Sequence, residues 1–152
     1  MKMKTCMLVV KDMEKAKAFY TKVIGLRALV DLGEHVVLSG GLALQTEESW
    51  KGFINQEVTY QGKDTEIYFE EDRFDDYLEK LQGMDEIHYV HPLMECDWGQ
   101  RVIRFYDPDG HIIEVGENMK TVCQRFVAMG LSDEEVAKRM SIPLRAVKNY
   151  KR

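Results

Sequence analysis

Cysteines and long apolar runs are scarce in this 152-residue sequence, and each scarcity excludes a class of protein. The three cysteines (Cys6, Cys96 and Cys123) are odd in number and far apart, which favours reduced thiols over a disulfide framework. No apolar run approaches the roughly 18 residues of a membrane span, and the N-terminal run is too short for a signal peptide. We therefore expect a cytoplasmic protein without a membrane partner.

Histidine is scarce as well, and the four histidines form no recognisable metal-binding pair. His88 and His91 are three positions apart, so in a strand their side chains would face opposite sides. His111 follows a turn and is expected to be solvated. The sequence also contains no Gly-rich phosphate-binding loop and no obvious arrangement of a nucleophile with a base.

The net charge of −5 argues against generic binding to nucleic acids or anionic membranes. The charge is uneven, however. Residues 1–117 contain 13 basic and 23 acidic side chains, whereas residues 118–152 contain 8 basic and 3 acidic ones. This asymmetry predicts two parts with different surfaces, a domain over residues 1–117 and an extension over residues 118–152.

The domain repeats one coarse order of elements, βαβββ, over about residues 4–46 and again over about residues 64–117. In the first half, Asp12 is placed to cap a helix that stops at Gly25, and Gly40-Gly41 suits a hairpin turn. In the second half, a helix is predicted between Asp72 and Gly83. The pattern predicts an α+β fold of two modules, with a polar linker between them.

The hairpin "WGQRVIRFYDPDGHIIEVGE" places a carboxylate, Glu114, between two apolar residues of a strand. A regular register, with Tyr106 opposite His111, would bring Arg101 to the same side as Glu114 and favours that pair. A bulge would instead bring Gln100 and Arg104 to that side. Because an unpaired carboxylate is rarely buried, Glu114 is expected to have a partner.

This hairpin and the stretch "VVKDMEKAKAFYTKVIGL" resemble the two signature regions of the glyoxalase I/bleomycin-resistance/extradiol-dioxygenase superfamily, also called the vicinal oxygen chelate superfamily. The resemblance covers about residues 4–117. It implies paired βαβββ modules forming an open barrel, a small-molecule ligand in a half-barrel cleft, and a homodimer.

The resemblance places the superfamily's four metal-ligand positions on Thr5, Gln45, Glu66 and Glu114. None of these residues is a histidine, and zinc and nickel prefer nitrogen donors beside carboxylates. Gln45, Glu66 and Glu114 remain the candidate positions for a divalent metal, since two carboxylates and an amide suit a hard cation.

These four positions, the hairpin register and the neighbouring residues of the strands together give the candidate site residues. Glu114 and Glu66 are the candidate catalytic groups, and an ion pair that only orders the sheet is the alternative role for each. The candidate ligand-binding residues are Thr5, Gln45, Tyr68, Trp98 and Arg101. Trp98 suits stacking on a planar ligand or a place at the rim of the core.

The extension "MKTVCQRFVAMGLSDEEVAKRMSIPLRAVKNYKR" has a helical period and resembles a helix-turn-helix over about 21 residues. Ser132 and Glu135 form a capping box, and Pro143 stands near the start of a last helix. With little apparent core of its own, the extension is interpreted as a helical appendage, and nucleic acid is not the expected partner.

Three functions remain open on the sequence. The first is an enzyme of the glyoxalase type, a lyase or isomerase comparable to lactoylglutathione lyase, with a degenerate metal site. The second is a metal-free protein that sequesters a small molecule. The third is a ligand-sensing regulator with a DNA-binding tail. The ligand itself cannot be read from the sequence.

Overall fold

The computed structural model describes residues 1–152 and divides into two compact units. The first unit comprises residues 1–65 together with the turn 107–111, and the second comprises residues 66–106 and 112–152. Each unit contains one four-stranded mixed sheet and one βαβββ module, so the predicted α+β fold is confirmed. None of the helices has both the length and the apolar character needed to cross a membrane.

The first sheet has the strand order β1-β4-β3-β2, with β1 parallel to β4 and the other neighbours antiparallel. The strands are β1 (Cys6–Val10), β2 (Ala28–Asp31), β3 (His35–Leu38) and β4 (Leu42–Thr46). As predicted, Gly40 and Gly41 turn the chain between β3 and β4, and both have positive φ, which costs glycine little.

Helix α1 (Met13–Phe19) begins where the Asp12 side chain accepts a hydrogen bond from the Lys15 N–H. It continues as a π-helical turn (Tyr20–Ile24) that ends at Gly25, whose φ of 85° confirms the predicted stop. Its buried face contributes Met13, Ala16, Tyr20 and Val23 to the core. A second helix, α2 (Glu47–Ile54), replaces part of the predicted polar linker.

The second sheet has the order β5-β8-β7-β6, with β5 parallel to β8. The strands are β5 (Glu66–Glu71), β6 (His88–Glu95), β7 (Arg101–Tyr106) and β8 (Ile112–Glu117). Helix α3 (Phe74–Gln82) connects β5 to β6 and buries Phe74, Tyr77 and Leu81. The outer strand β6 contains Pro92, and its pairing with β7 is irregular at two places.

The register of the β7–β8 hairpin differs from the favoured prediction by one residue. Tyr106 pairs with Ile112, not with His111, and Arg104 pairs with Glu114. The shift arises because the turn takes five residues, closed by a 3.0 Å hydrogen bond from the Asp107 N–H to the His111 carbonyl. The predicted proximity of Arg101 to Glu114 is therefore wrong, and the alternative partner, Arg104, is the one observed.

The chain ends in three helices, α4 (Met119–Ala128), α5 (Asp133–Met140) and α6 (Leu144–Tyr150), which belong to the second unit. The predicted capping box of Ser132 and Glu135 is present at the start of α5. Pro143 precedes the first residue of α6, in agreement with the sequence. The boundary at residue 117 stays a prediction.

Candidate functional site

The two carboxylates singled out in the sequence, Glu66 and Glu114, are bridged by one guanidinium group in the second unit. The Arg104 Nε donates to Glu66 Oε2 at 2.8 Å, and the Arg104 Nη2 forms an ion pair with Glu114 Oε2. The Glu114 side chain is only 8% exposed, whereas the Glu66 side chain is 41% exposed. The Glu114 side chain is thus buried against the sheet, whereas the Glu66 side chain is in contact with solvent.

The register explains why these groups meet. Arg104 and Glu114 are direct partners on β7 and β8, so their side chains share one face of the sheet. Glu114 is also opposite Tyr68 on β5, which belongs to the same face. His91, on β6, is the partner of Arg104 on its other side, and the Arg104 Nη1 lies 3.3 Å from the His91 Nε2. All four strands of the second sheet therefore contribute polar side chains to this face, and β5 contributes two of them, Glu66 and Tyr68.

A second series of hydrogen bonds lies on the same face of the second sheet. The Trp98 indole N–H donates to the Gln100 side-chain oxygen at 3.0 Å, and the Gln100 amide donates to the Tyr68 hydroxyl at 2.8 Å. The Tyr68 hydroxyl donates in turn to Glu70 at 2.9 Å. Desolvation of the phenol, together with the neighbouring Glu70 carboxylate, raises the pKa of Tyr68 to about 12. Two of the predicted ligand-binding residues, Tyr68 and Trp98, are thus connected through Gln100.

The face has room for these side chains because position 116 is glycine. A Cβ atom at Gly116 would lie 2.7 Å from the Gln100 amide nitrogen and 3.1 Å from the Tyr68 ring. Tyr68 and Trp98 remain 45% and 40% exposed, respectively. Two accessible aromatic rings beside a charged cluster form a surface on which a planar molecule can stack.

Arg101, a predicted ligand-binding residue, lies on the opposite face of the same sheet. There its guanidinium group bonds to the buried Glu117 at 3.1 and 3.2 Å and to Asp75 at 2.7 Å. Carboxylates on both sides hold the pKa of Arg101 above its ordinary value, with Glu117 the larger cause. The structure therefore gives Arg101 a role in packing the sheet against α3, away from the Glu114 cluster.

Thr5 and Gln45 belong to the first unit, and both side chains already have partners there. The Thr5 hydroxyl lies 2.8 Å from the Gly41 carbonyl, to which it donates. The Gln45 amide oxygen lies 2.8 Å from the His35 Nδ1, and its NH₂ donates to Ser49. Gln45 is buried, and its hydrogen bonds to His35 and Ser49 connect β4 to β3 and to the start of α2.

These donors do not fit the divalent metal that the superfamily resemblance implies. The cation between Glu66 and Glu114 is the Arg104 guanidinium, and the Gln45 amide is engaged by His35 and Ser49. No group of three or more His, Cys, Asp or Glu side chains is arranged to hold a metal ion. A site for zinc or nickel requires a convergent set of such donors.

A further polar cluster, which the sequence did not reveal, lies in the first unit. The Asp107 carboxylate is buried and accepts hydrogen bonds at 2.8 Å from both the Tyr20 hydroxyl and the His111 Nδ1. Burial raises the pKa of Asp107, but the bonds from His111 and Tyr20 outweigh that effect and hold it below the ordinary value. His111 is therefore not simply solvated, as the sequence suggested. The only signal was its spacing of four residues from Asp107 across a turn.

His111 also borders a cavity of about 340 Å³ in the first unit. Residues of β1, α2 and the segment after α2 line it, among them Trp50 and Tyr60. The Lys11 ammonium lies 4.3 Å from the centre of the Tyr60 ring, and the Tyr60 hydroxyl donates to Glu47 at 2.8 Å. Of the aromatic groups at this cavity, the Tyr60 hydroxyl and the His111 Nδ1 are thus already bonded within the protein.

Comparison with known proteins finds a known family and similar solved structures over most of the chain. The family model of the glyoxalase-like domain matches residues 3–120. A crystal structure of a protein of unknown function from Agrobacterium tumefaciens has 32% identity and a TM-score of 0.70, covering 78% of this chain and 95% of its own. The comparison with curated proteins finds no match.

Two further structures carry functional names. A lactoylglutathione lyase from Agrobacterium tumefaciens has 25% identity and a TM-score of 0.61, covering 77% of this chain and 93% of its own. A glyoxalase-related enzyme from Fulvimarina pelagi has 20% identity and a TM-score of 0.67, covering 77% and 88%. At 20% identity, the likeness to the Fulvimarina pelagi enzyme supports the fold alone.

Proposed function

The chain belongs to the glyoxalase-like family, and from this premise we propose that it binds a small molecule without a catalytic metal. The site is the sheet face that carries Glu66, Arg104 and Glu114. The observation that supports this most directly is the guanidinium of Arg104 bridging the two carboxylates. Because it supplies the positive charge there, the two carboxylates do not need a metal ion to compensate them.

The charges and rings of this face indicate the class of ligand. Glu66 and Glu114 outnumber Arg104, and the nearby Glu70 adds a further negative charge. Such a surface favours a ligand with positive charge or several hydrogen-bond donors. The exposed rings of Tyr68 and Trp98 favour a planar one, through stacking and cation–π contact. We therefore expect a planar, cationic small molecule to bind in preference to an anion.

Replacing Glu114 with glutamine should weaken binding of a planar cation by about tenfold or more. The substitution removes the buried carboxylate that holds Arg104, so the cluster loses both a negative charge and its geometry. Benzamidine and benzoate, two planar probes of similar size and opposite charge, suit the measurement. Binding is followed by the NMR shifts of the Trp98 indole N–H in isotope-labelled protein.

The matched control is Glu34→Gln, which removes an exposed carboxylate in the first unit. It should leave benzamidine binding unchanged. Benzoate binding more tightly than benzamidine, or equal binding of benzamidine to Glu114→Gln and the parent protein, would contradict the proposed site.

A metal-dependent lyase is the second candidate, and its support is the 25% identity to the lactoylglutathione lyase. If the metal-free proposal is correct, one equivalent of Zn²⁺ or Ni²⁺ should leave the melting temperature within about 1 °C, because a bound metal would stabilise the folded state by mass action. Thermal melts with and without metal, after treatment with a chelator, provide the measurement. Stoichiometric metal that is lost in Glu114→Gln would support the lyase instead.

We also propose that the chain forms a homodimer. Exposed apolar side chains on the outer strands, among them Val30 on β2 and Leu93 and Met94 on β6, provide surface that a partner would cover.

A further inference from the structure

The three C-terminal helices have a hydrophobic core of their own, which the sequence had not indicated. Its buried members come from all three helices: Val122, Cys123, Phe126, Val136, Met140 and Val147. Partly buried apolar residues, including Leu131, Ile142 and Tyr150, surround them. The extension is therefore a small three-helix unit rather than a series of helices that merely cover the sheet.

The connections between these helices are short. Residues 129–132 join α4 to α5, and residues 141–143 join α5 to α6. Ser141, the first residue of the second connection, has a left-handed φ of 53°, which turns the chain sharply. Two helices joined by a three-residue turn, packed on a third, have the organisation of a helix-turn-helix, in which the last helix enters the major groove of DNA.

Helices α4 and α5 attach the three-helix unit to the second sheet. The Arg125 guanidinium donates to the Gly99 carbonyl and to Glu117, and Arg139 donates to the Asp97 carbonyl and pairs with Glu95. None of these contacts involves α6. The attachment therefore leaves the last helix available on its outer side.

The outer side of α6 carries residues suited to DNA. Arg145, Lys148 and Asn149 are exposed and follow the spacing i, i+3, i+4, so they share one face of α6, and the exposed Arg152 follows the end of the helix. Arg145, Lys148 and Arg152 have no ion-pair partner, whereas Lys151 pairs with Asp133 of α5 at 2.7 Å. Arginine and asparagine are the side chains that bind guanine and adenine edges in a bidentate manner, and lysine contacts phosphates.

We propose that α4–α6 bind duplex DNA, with the exposed face of α6 in the major groove. The 8 basic and 3 acidic residues after residue 117 support this, because they give the extension a net positive charge. The rest of the chain is acidic and is repelled by DNA, so the extension is the part that would face the duplex. The sequence-based expectation against nucleic acid assumed that the extension lacked a core, and the structure supplies one. This inference does not depend on the small-molecule proposal.

The test uses the full chain and a labelled duplex of about 30 mixed-sequence base pairs, followed by fluorescence anisotropy over a range of salt concentrations. The double variant Arg145→Ala/Lys148→Ala should bind about tenfold more weakly than the parent protein. Its plot of log affinity against log salt should be shallower by about two if both side chains contact phosphates, and by about one if one of them contacts a base edge instead.

Lys22→Ala/Arg27→Ala is the matched control, since it removes the same charge from exposed positions of the first unit. It should bind DNA like the parent protein, and thermal melts should show that both double variants remain folded. If the parent protein shows no binding at low salt, or if the two double variants bind equally, the proposed DNA interface is wrong. Preference for single-stranded RNA over the duplex would also overturn it.

Discussion

Replacing Asp107 with alanine is expected to destabilise the protein by about 3–5 kcal/mol, as loss of one partner of a buried charged network does. The carboxylate accepts side-chain hydrogen bonds from Tyr20 and His111 and backbone bonds from the Asp109 and His111 N–H groups. Alanine leaves all four donors without this acceptor, and the Tyr20 hydroxyl is buried. The free energy of unfolding, measured by urea denaturation at neutral pH, checks the expectation.

Asp107→Asn is the informative companion variant. Its remaining side-chain oxygen can still accept the two backbone bonds of the turn, so it should cost less than alanine. Because hydrogen bonds hold the pKa of Asp107 below 3.8 in the folded protein, its contribution to stability is present above that value. The contribution is lost as the pH falls through the folded pKa. The parent protein should therefore lose more stability than Asp107→Asn in this acidic range, and parallel acid-denaturation curves would refute the assigned role.

Replacing Glu117 with alanine should also cost about 3–5 kcal/mol. This side chain is 1% exposed and accepts from two guanidinium groups, those of Arg101 and Arg125. Its removal leaves two partly buried positive charges facing each other without the anion between them. Because Arg125 lies on α4, we expect amide hydrogen exchange to increase in α4 as well, in addition to a lower midpoint of urea denaturation.

Asp75→Asn provides the control, because it removes the other carboxylate that contacts Arg101. Asp75 is 75% exposed, and exposed ion pairs contribute roughly 0–1 kcal/mol. A small effect of Asp75→Asn beside a large effect of Glu117→Ala would establish that burial, and not the number of charges, determines the contribution. Equal effects of the two substitutions would contradict this explanation.

Much of the fold could be predicted because its signals are local. The Asp12 cap, the stop at Gly25 and the capping box of α5 each depend on residues within one or two turns of the element they delimit. Helix α2 was missed because it lies in a stretch that is polar on the whole, although Trp50, Phe53 and Ile54 follow a helical spacing. Its other signals were present, with two glutamates in the first turn and Asn55 at its end.

The candidate site was only partly predictable because it depends on register. Grouping Glu66 with Glu114 required only strand assignment and the family resemblance, whereas choosing Arg104 over Arg101 required the exact length of the turn. One additional residue in the turn moves an arginine to the other face of the sheet. The Tyr20–Asp107 bond joins residues 87 positions apart, and no periodicity in the sequence encodes such a contact.

The irregular outer strand β6 has a consequence for how copies of the chain can associate. A straight, unpaired strand edge is a template to which another strand can add, and this is a common route to aggregation. Here Pro92 lacks an N–H donor, and the two breaks in the pairing of β6 disturb the regular spacing of its free backbone groups. The second sheet is thereby protected against growth through this edge, even though β6 displays apolar side chains to solvent.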